Sequence, residues 1–394
     1  MSGATAPSGP FTTTAGFRLT QNAIQVEATL DGQTKPRTFL LDSGAPMTIS
    51  QHLAHESARE PHGEITLLGP DGGKASVPVA RIDRVEVAGS EFRDVGSVVD
   101  WSGPPSPLAC LSRDGLLGAS LLETAIWQID FHEERITVTD RLADLPGLDL
   151  AVRVPFRRSD TAGSPRIEVE MNETSDLSAL IDLGFNGSVA MPAALYRRAG
   201  NELRESMPAE RGHGATTVLG DAASRLYVGR VRDLRFGGLH LRDFPVLTGA
   251  EVSDFHIGVA FLRHFRVTLD WRNDHLYLQR RDPEHALFED YASYGFTPTL
   301  REGRLVVGAL WEDGAAARAG LKLGDTLLAV DGRSTVSLGF EGFCDLLDSV
   351  SLYGSGQEPI EVTVERNGVA TPFRLSRTPL VTHRHRDSQV PAHR

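Results

Sequence analysis

FLLDSGAPMTIS (residues 39–50) and ALIDLGFNGSVAM (residues 179–191) share one pattern: an apolar run, an aspartate, one variable residue, a glycine and then small residues. The two aspartates, Asp42 and Asp182, lie 182 − 42 = 140 positions apart. Working outward, GLLGASLLETAIWQIDFHEERITV (115–138) parallels HIGVAFLRHFRVTLDWRNDHLYL (256–278), and Gly118 and Gly258, like Asp130 and Asp270, are again 140 apart. VEVAGSEFRDV (85–95) and LRFGGLHLRDF (234–244) also correspond, but at an offset of 234 − 85 = 149, so insertions cancel along the way. The chain carries an internal repeat, and that decides the fold reading before any single element does.

Each copy consists of short β-type segments separated by turn residues, among them QVEATL, ITLLGPDGG, VPVARIDRVEVAG and ITVTD. One short helix is expected per copy, at residues 50–58 and 192–199, where Pro192 suits a first helical turn. WSGPPSPLACLSRD (101–114) is Pro-rich and has no equal in the second copy, so it reads as a surface loop beside the cleft. After residue 282 the character changes. REGRLVVGALWEDGAAARAGLKLGDTLLAVDG (301–332) gives a strand, a small-residue turn or helix at 315–319 and an apolar strand. A helix at 342–350 and the strands PIEVTVERNG and TPFRLS follow. Residues 1–16 are small and polar and 379–394 are polar, so both ends are expected to be disordered.

At 394 residues the chain is long enough for two to three domains of ordinary size, and its net charge of −12 works against polyanionic partners, nucleic acid and anionic membrane alike. No run of 18 apolar residues exists to span a membrane. The start, MSGATAPSGPFTTTAGF, lacks the basic and apolar regions of a secretory signal. A cytoplasmic protein is expected, or an exported one if the start is mis-assigned. Cys110 and Cys344 lie 234 positions apart without a Cys-x-x-Cys pair, so neither a disulfide framework nor a thiolate zinc site is expected, and Cys110 reads as a free thiol.

A carboxylate at the end of an apolar strand is costly to bury unless it is used or paired. A lone Asp-Ser-Gly is ordinarily a turn in which the aspartate caps backbone amides. The repeat changes that reading, because each Asp-x-Gly is followed 76 residues later by an apolar-apolar-Gly element (118 − 42 and 258 − 182). If the copies pack about a pseudo-twofold axis, Asp42 and Asp182 face each other and cannot both ionise easily. One carboxylate then acts as base toward a water while the other, as acid, protonates a carbonyl oxygen, the arrangement for amide hydrolysis.

On these residues the sequence resembles the retropepsin-like and pepsin-like aspartic peptidases, in the bacterial form that carries two such modules in one chain. The resemblance rests on Leu40-Leu41-Asp42-Ser43-Gly44-Ala45 as active-site loop and Leu116-Leu117-Gly118 as the element packed behind it. In the second copy it rests on Leu180-Ile181-Asp182, Gly184 and His256-Ile257-Gly258. It implies a mainly β fold, a bilobal pseudo-twofold pair of acid-protease barrels over residues 17–148 and 149–282. It further implies Asp42 and Asp182 as the catalytic pair, with loop support from Ser43, Gly44 and Gly184. No metal or other cofactor is implied, and protein or peptide substrates are. Flap candidates are residues 67–74 (LLGPDGGK) and 211–220 (RGHGATTVLG), whose glycines suit mobile hairpins. The second copy departs from the family: Leu183 stands where a Ser or Thr hydroxyl locks the loops together, and Phe185 where Ala45 has its small side chain. A less well oriented second carboxylate is therefore expected, and a catalytically degenerate, peptide-holding protein is the alternative function.

Residues 292–378 resemble a PDZ domain of the bacterial protease-associated kind, through Ala319-Gly320-Leu321-Lys322-Leu323-Gly324-Asp325 and Val330-Asp331-Gly332. Such domains bind a peptide as an added strand and hold its C-terminal carboxylate with loop amides. The resemblance places that loop at Tyr294, Gly295 and Phe296, and implies C-terminal peptide tails as partners. Leu338-Gly339-Phe340 looks similar but follows the Asp331-Gly332 turn, out of order. HLAHE at 52–56 is not a His-Glu-x-x-His metal pattern, and neither a Gly-x-Ser-x-Gly elbow nor a phosphate loop occurs.

Overall fold

The computed structural model describes residues 4–56, 61–68, 74–99, 106–160, 162–204, 207–217, 220–282, 287, 291–349 and 359–381. For 67–68, 213–217, 220–224, 291, 348–349 and 381 it describes the backbone alone. The architecture is mainly β, with barrel-like sheets consistent with an acid-protease β fold.

The strand Arg37–Asp42 buries its last four residues in succession rather than alternately. Its neighbours explain this, since a strand covered on both faces has no solvent side to keep polar. It pairs antiparallel with Ala23–Leu30 and parallel with Gly115–Gly118, where Asp42 sits opposite Gly118. From Gly115–Gly118 the pairing runs to Thr48–Ile49, Ser90–Val99 and Lys74–Val87, and returns to Ala23–Leu30 through Ala28↔Val87. The strands close on an apolar interior that includes Ile24, Leu30, Phe39, Leu41 and Phe92.

The second repeat reproduces the circuit strand for strand. Pro165–Met171 pairs with Thr174–Asp182, and Thr174–Asp182 runs parallel to His256–Gly258 with Asp182 opposite Gly258. The path continues through Val189–Pro192, Leu239–Gly249 and Gly220–Phe236, and closes at Met171↔Leu234. The expected helices form at Gln51–Glu56 and Ala193–Arg198, with Pro192 at the cap position of the second.

A further sheet joins the halves in the order Thr12–Gly16, Arg135–Thr139, Ile126–Asp130, Phe265–Asp270, His275–Arg280, Val152–Arg158. At its centre Gln128 pairs with Thr268, its own repeat equivalent because 268 − 128 = 140, and Gln128 Nε2 donates to Thr268 Oγ1 at 2.9 Å. A residue paired with its own equivalent lies on the symmetry axis, so the pseudo-twofold passes between these two side chains. Two corrections arise at the chain ends. Within residues 1–16, expected to be disordered, Thr12–Gly16 is an edge strand of this sheet, because the chain returns at Arg135–Thr139 to pair with it. Within 379–394, Thr378–Val381 pairs with Tyr291–Ser293, while residues 382–394 lie outside the described residues.

Residues 291–381 form a unit with its own apolar core, including Tyr294, Phe296, Leu305, Val307, Leu327, Phe343, Leu346 and Val362. Its strands Arg304–Trp311, Thr326–Val330, Ile360–Arg366 and Val369–Leu375 and its helix Ala315–Ala319 fall where the sequence pattern put them, whereas the second helix, Gly339–Ser349, begins three residues before the expected 342 and Phe296–Arg301 is a strand the pattern did not name. Leu338-Gly339-Phe340 leads into the second helix.

Two features tie this unit to the repeats. Ala209–Thr217 of the second repeat adds to Arg304–Trp311 as an antiparallel neighbour, with Glu210 opposite Trp311 and Gly212 opposite Ala309. Arg211 and Arg225 both ion-pair with Glu312 beside that seam. The second tie corrects the cysteine reading: Cys110 and Cys344 form a disulfide, their Cα atoms 5.0 Å apart. Cys110 lies in the Leu108–Leu111 helix of the Pro-rich segment and Cys344 in Gly339–Ser349, and Arg113 pairs with Glu341 alongside. A disulfide requires proximity in space, about 4.4–6.8 Å between Cα atoms, and says nothing of distance along the chain.

Candidate active site

Each candidate aspartate ends the buried central strand of its barrel and turns its carboxylate back over its own loop. Asp42 Oδ1 accepts the amides of Gly44 at 2.7 Å and Ala45 at 3.1 Å. Asp182 Oδ1 accepts those of Gly184 at 2.9 Å and Phe185 at 3.1 Å. The loops are braced from behind in the same way, by Ala119 N donating to Ala45 O at 2.7 Å and Val259 N to Phe185 O at 2.8 Å. This explains the apolar-apolar-Gly element. A Cβ on Gly118 would lie 2.1 Å from the Pro46 carbonyl carbon, and one on Gly258 would lie 2.4 Å from the Phe185 oxygen, so only glycine lets the loop cross so close.

The two carboxylates meet across the repeat axis, each lying over the other loop's glycine. A Cβ on Gly44 would lie 2.7 Å from Asp182 Oδ1, and one on Gly184 would lie 2.3 Å from Asp42 Cγ. Asp42 is 9% exposed and Asp182 8%, so neither charge is well hydrated. Burial, and then the neighbouring Asp182 charge, push the Asp42 carboxyl up to about 8, against the two amides that favour its ionised form. Two carboxylates held this close share one proton at neutral pH, since both cannot readily be charged.

Ser43 is fully buried, and its Oγ reaches across to the other loop, donating to Ile181 O at 2.6 Å and accepting Leu183 N at 3.0 Å. Leu183 gives no hydroxyl in return; its side chain is 1% exposed and packs in the apolar core. The slack expected at Asp182 is not what the structure has. Its Oδ1 keeps the same pair of amides as Asp42, and its Oδ2 has a partner that Asp42 lacks: His256 Nδ1 at 2.8 Å.

Sequence reasoning placed His256 in the packing element and missed this contact. A signal was present, since the first repeat has Leu116 at the equivalent position (256 − 140) and a histidine there must find a polar partner. His256 sits opposite Leu180 on the adjacent parallel strand, and its ring contacts Phe185 at 5.7 Å between centroids. Burial disfavours its charge, but the hydrogen bond and charge of Asp182, with Asp254 behind, hold its pKa above the ordinary histidine value.

Both flap candidates fall at hairpin ends. Residues 67–74 run from the end of Gly63–Leu68 to the start of its antiparallel partner Lys74–Val87, and residues 211–220 overlap Ala209–Thr217 and reach the start of its partner Gly220–Phe236. The tips, 69–73 and 218–219, lie outside the described residues. Tyr294, Gly295 and Phe296 are placed in the C-terminal unit, whose core cluster is separate from that of the repeats. Tyr294 and Phe296 are buried in its core, and Gly295, with φ of 88°, turns against Gly314.

No helix of the described residues is long and apolar enough to cross a membrane. None of the curated proteins compared with the chain matches it. Residues 26–121, which contain Asp42, Ser43, Gly44 and the Gly115–Gly118 strand, match the family model described as aspartyl protease, and the first repeat thus carries an aspartyl protease domain of the hydrolase class.

Proposed function

We propose that the chain is an aspartic endopeptidase whose catalytic pair is Asp42 and Asp182. The observation that carries this reading is reciprocal contact: each carboxylate lies against the glycine of the opposite loop, with the Asp42 carboxyl raised by burial and then by its neighbour. Two carboxylates sharing one proton can activate a water and protonate a peptide carbonyl in the same step. The oxygen of the water bonds to the carbonyl carbon, one carboxylate takes its proton, and the other protonates the carbonyl oxygen. Collapse of the resulting gem-diol returns the first proton to the leaving amide nitrogen, which departs with the C–N pair. The second carboxylate meanwhile recovers a proton from a hydroxyl of the gem-diol.

The C-terminal unit serves, on this reading, as a PDZ-type module that recruits substrates or partners by a C-terminal tail, with Tyr294, Gly295 and Phe296 at the carboxylate loop. In support, Phe296–Arg301 is paired among the described residues only with Arg304–Trp311, leaving an edge for strand addition. The Gly320–Asp325 turn is closed by Lys322 N donating to Asp325 at 2.8 Å, and Arg366 clasps the same carboxylate. Incubating the chain and its Asp42→Asn variant with unfolded casein from about pH 4 to 8, followed by mass spectrometry, tests the proposal. New peptides from the parent alone support it. Products from neither, with peptide tails still bound, favour a peptide-holding protein.

A further inference from the structure

The pseudo-twofold relates the two aspartate loops, but the surroundings of the two carboxylates are not alike. Asp42 accepts two loop amides, whereas Asp182 accepts two loop amides and His256. The equivalent of His256 is Leu116, whose side chain has no proton to give. We propose that His256 is a positioning residue that breaks the symmetry of the aspartate pair: by donating from Nδ1 to Asp182 Oδ2, it holds Asp182 as the ionised member and leaves the shared proton on Asp42. This rests on the peptidase reading and deepens it by assigning the roles: Asp182 takes the proton of the water, and Asp42 protonates the carbonyl oxygen.

Three features fix His256 in that task. Its backbone is locked in the parallel pairing beside Leu180, two residues before Asp182. Phe185, the bulky residue of the second loop, lies against the imidazole, 5.7 Å between ring centroids, where Ala45 stands in the first loop. The third is the neighbouring ion pair. Asp254 is the other carboxylate facing His256, and Arg166 on Pro165–Met171 engages both of its oxygens, at 2.6 and 2.8 Å. With Asp254 so occupied, Asp182 is the acceptor to which Nδ1 is bonded.

A donor to a carboxylate favours its charged form, so of two carboxylates sharing one proton the one with fewer donors keeps it. The titration directions agree with that geometry. Asp42 is raised, while His256 is raised against the effect of its burial, as expected for an imidazole bonded to a carboxylate that stays ionised.

The test uses the full chain, with His256→Leu to copy the first repeat and His256→Asn to keep an N–H near the Nδ1 position. Aspartate carboxyl carbons labelled with 13C, assigned through Asp42→Asn and Asp182→Asn, report which carboxyl takes the first proton as pH falls from about 9. In the parent and His256→Asn that carboxyl is Asp42; in His256→Leu the proton is divided between the two. Turnover is read in parallel. The acid limb of kcat should move up by about one pH unit in His256→Leu, the effect of losing one charge-assisted bond, with KM within about twofold and His256→Asn close to the parent. Identical carboxyl titrations in parent and His256→Leu would overturn the proposal, as would loss of turnover with an unmoved pH profile. A parent that cleaves nothing yet protonates Asp42 first, with the proton divided between the two carboxyls in His256→Leu, would sink the peptidase reading and leave the assignment of the proton standing.

Discussion

Ser43 Oγ accepts the backbone N–H of Leu183 at 3.0 Å across the repeat axis, and the same hydroxyl donates to Ile181 O at 2.6 Å. One hydroxyl thus makes the whole side-chain lock between the loops from one side. Ser43→Ala should leave Leu183 N and Ile181 O without that partner in a site closed to water, at a cost of roughly 2–4 kcal/mol. Urea unfolding of parent and variant measures it. A change below about 0.5 kcal/mol would mean that the lock contributes little.

Leu183→Thr brings to the second loop a hydroxyl like that of Ser43 in the first, yet no gain in rate is expected. Asp182 already has three donors, and Leu183 fills buried space in the barrel core. The expected outcome is a loss of roughly 1–3 kcal/mol in stability with kcat unchanged or lower. A variant that turns over several times faster would show that the missing hydroxyl limits the pair after all.

The Cys110–Cys344 disulfide ties the helix beside the first active-site loop to a helix of the C-terminal unit across 234 residues of chain. The chain-entropy model gives roughly 5 kcal/mol for a closure of that length, an upper figure if the unfolded chain keeps structure. Non-reducing mass spectrometry should find no free thiol. Dithiothreitol, or Cys110→Ser, should lower Tm and loosen hydrogen-exchange protection in Gly339–Ser349 before it affects Thr174–Asp182. Equal protection with and without reductant would contradict this.

Glu210 is buried in the seam between Ala209–Thr217 and the C-terminal unit, within 3.4 Å of Thr297 Oγ1, and burial pushes its carboxyl up to about 7. An acid whose pKa is higher folded than unfolded contributes stability that is full below its unfolded value and is lost as pH rises through about 7. Asp42 has the same sign over a window reaching about 8, so only the difference between parent and variant isolates Glu210. Glu210→Gln should flatten the fall in stability between about pH 4.5 and 7, by on the order of 3 kcal/mol. Parallel pH–stability curves would rule out the seam as the cause.

Much of this arrangement was written in local sequence. The 140-residue repeat, the Asp-x-Gly loops, the glycines behind them and the order of elements after residue 291 follow from periodicity and turn chemistry, which act over a few residues. What escaped was carried by contacts between distant parts. TTTAG at 12–16 is too polar to read as a strand and becomes one, at the edge of the joining sheet, by pairing with Arg135–Thr139. Cys110 and Cys344 meet only because the C-terminal unit folds back onto the first repeat. The strand added at Glu210 joins two units that sequence treats as separate. His256 was in view but read as packing, because its apolar counterpart Leu116 packs and nothing local shows that the adjacent strand brings Asp182 within reach.

If both repeats contribute to one catalytic pair, Asp182→Asn disables the chain as fully as Asp42→Asn does. The variant keeps the side-chain oxygen that receives Gly184 N and Phe185 N while removing the charge that the pair requires. Measured on casein beside the parent and Asp42→Asn, turnover by Asp182→Asn should fall at least about a thousandfold, as it should for Asp42→Asn. The activity of the parent should decline as pH rises through about 8, where Asp42 gives up its proton. Substantial cleavage by Asp182→Asn, with Asp42→Asn inactive, would show that the first repeat works without the second and would contradict the account.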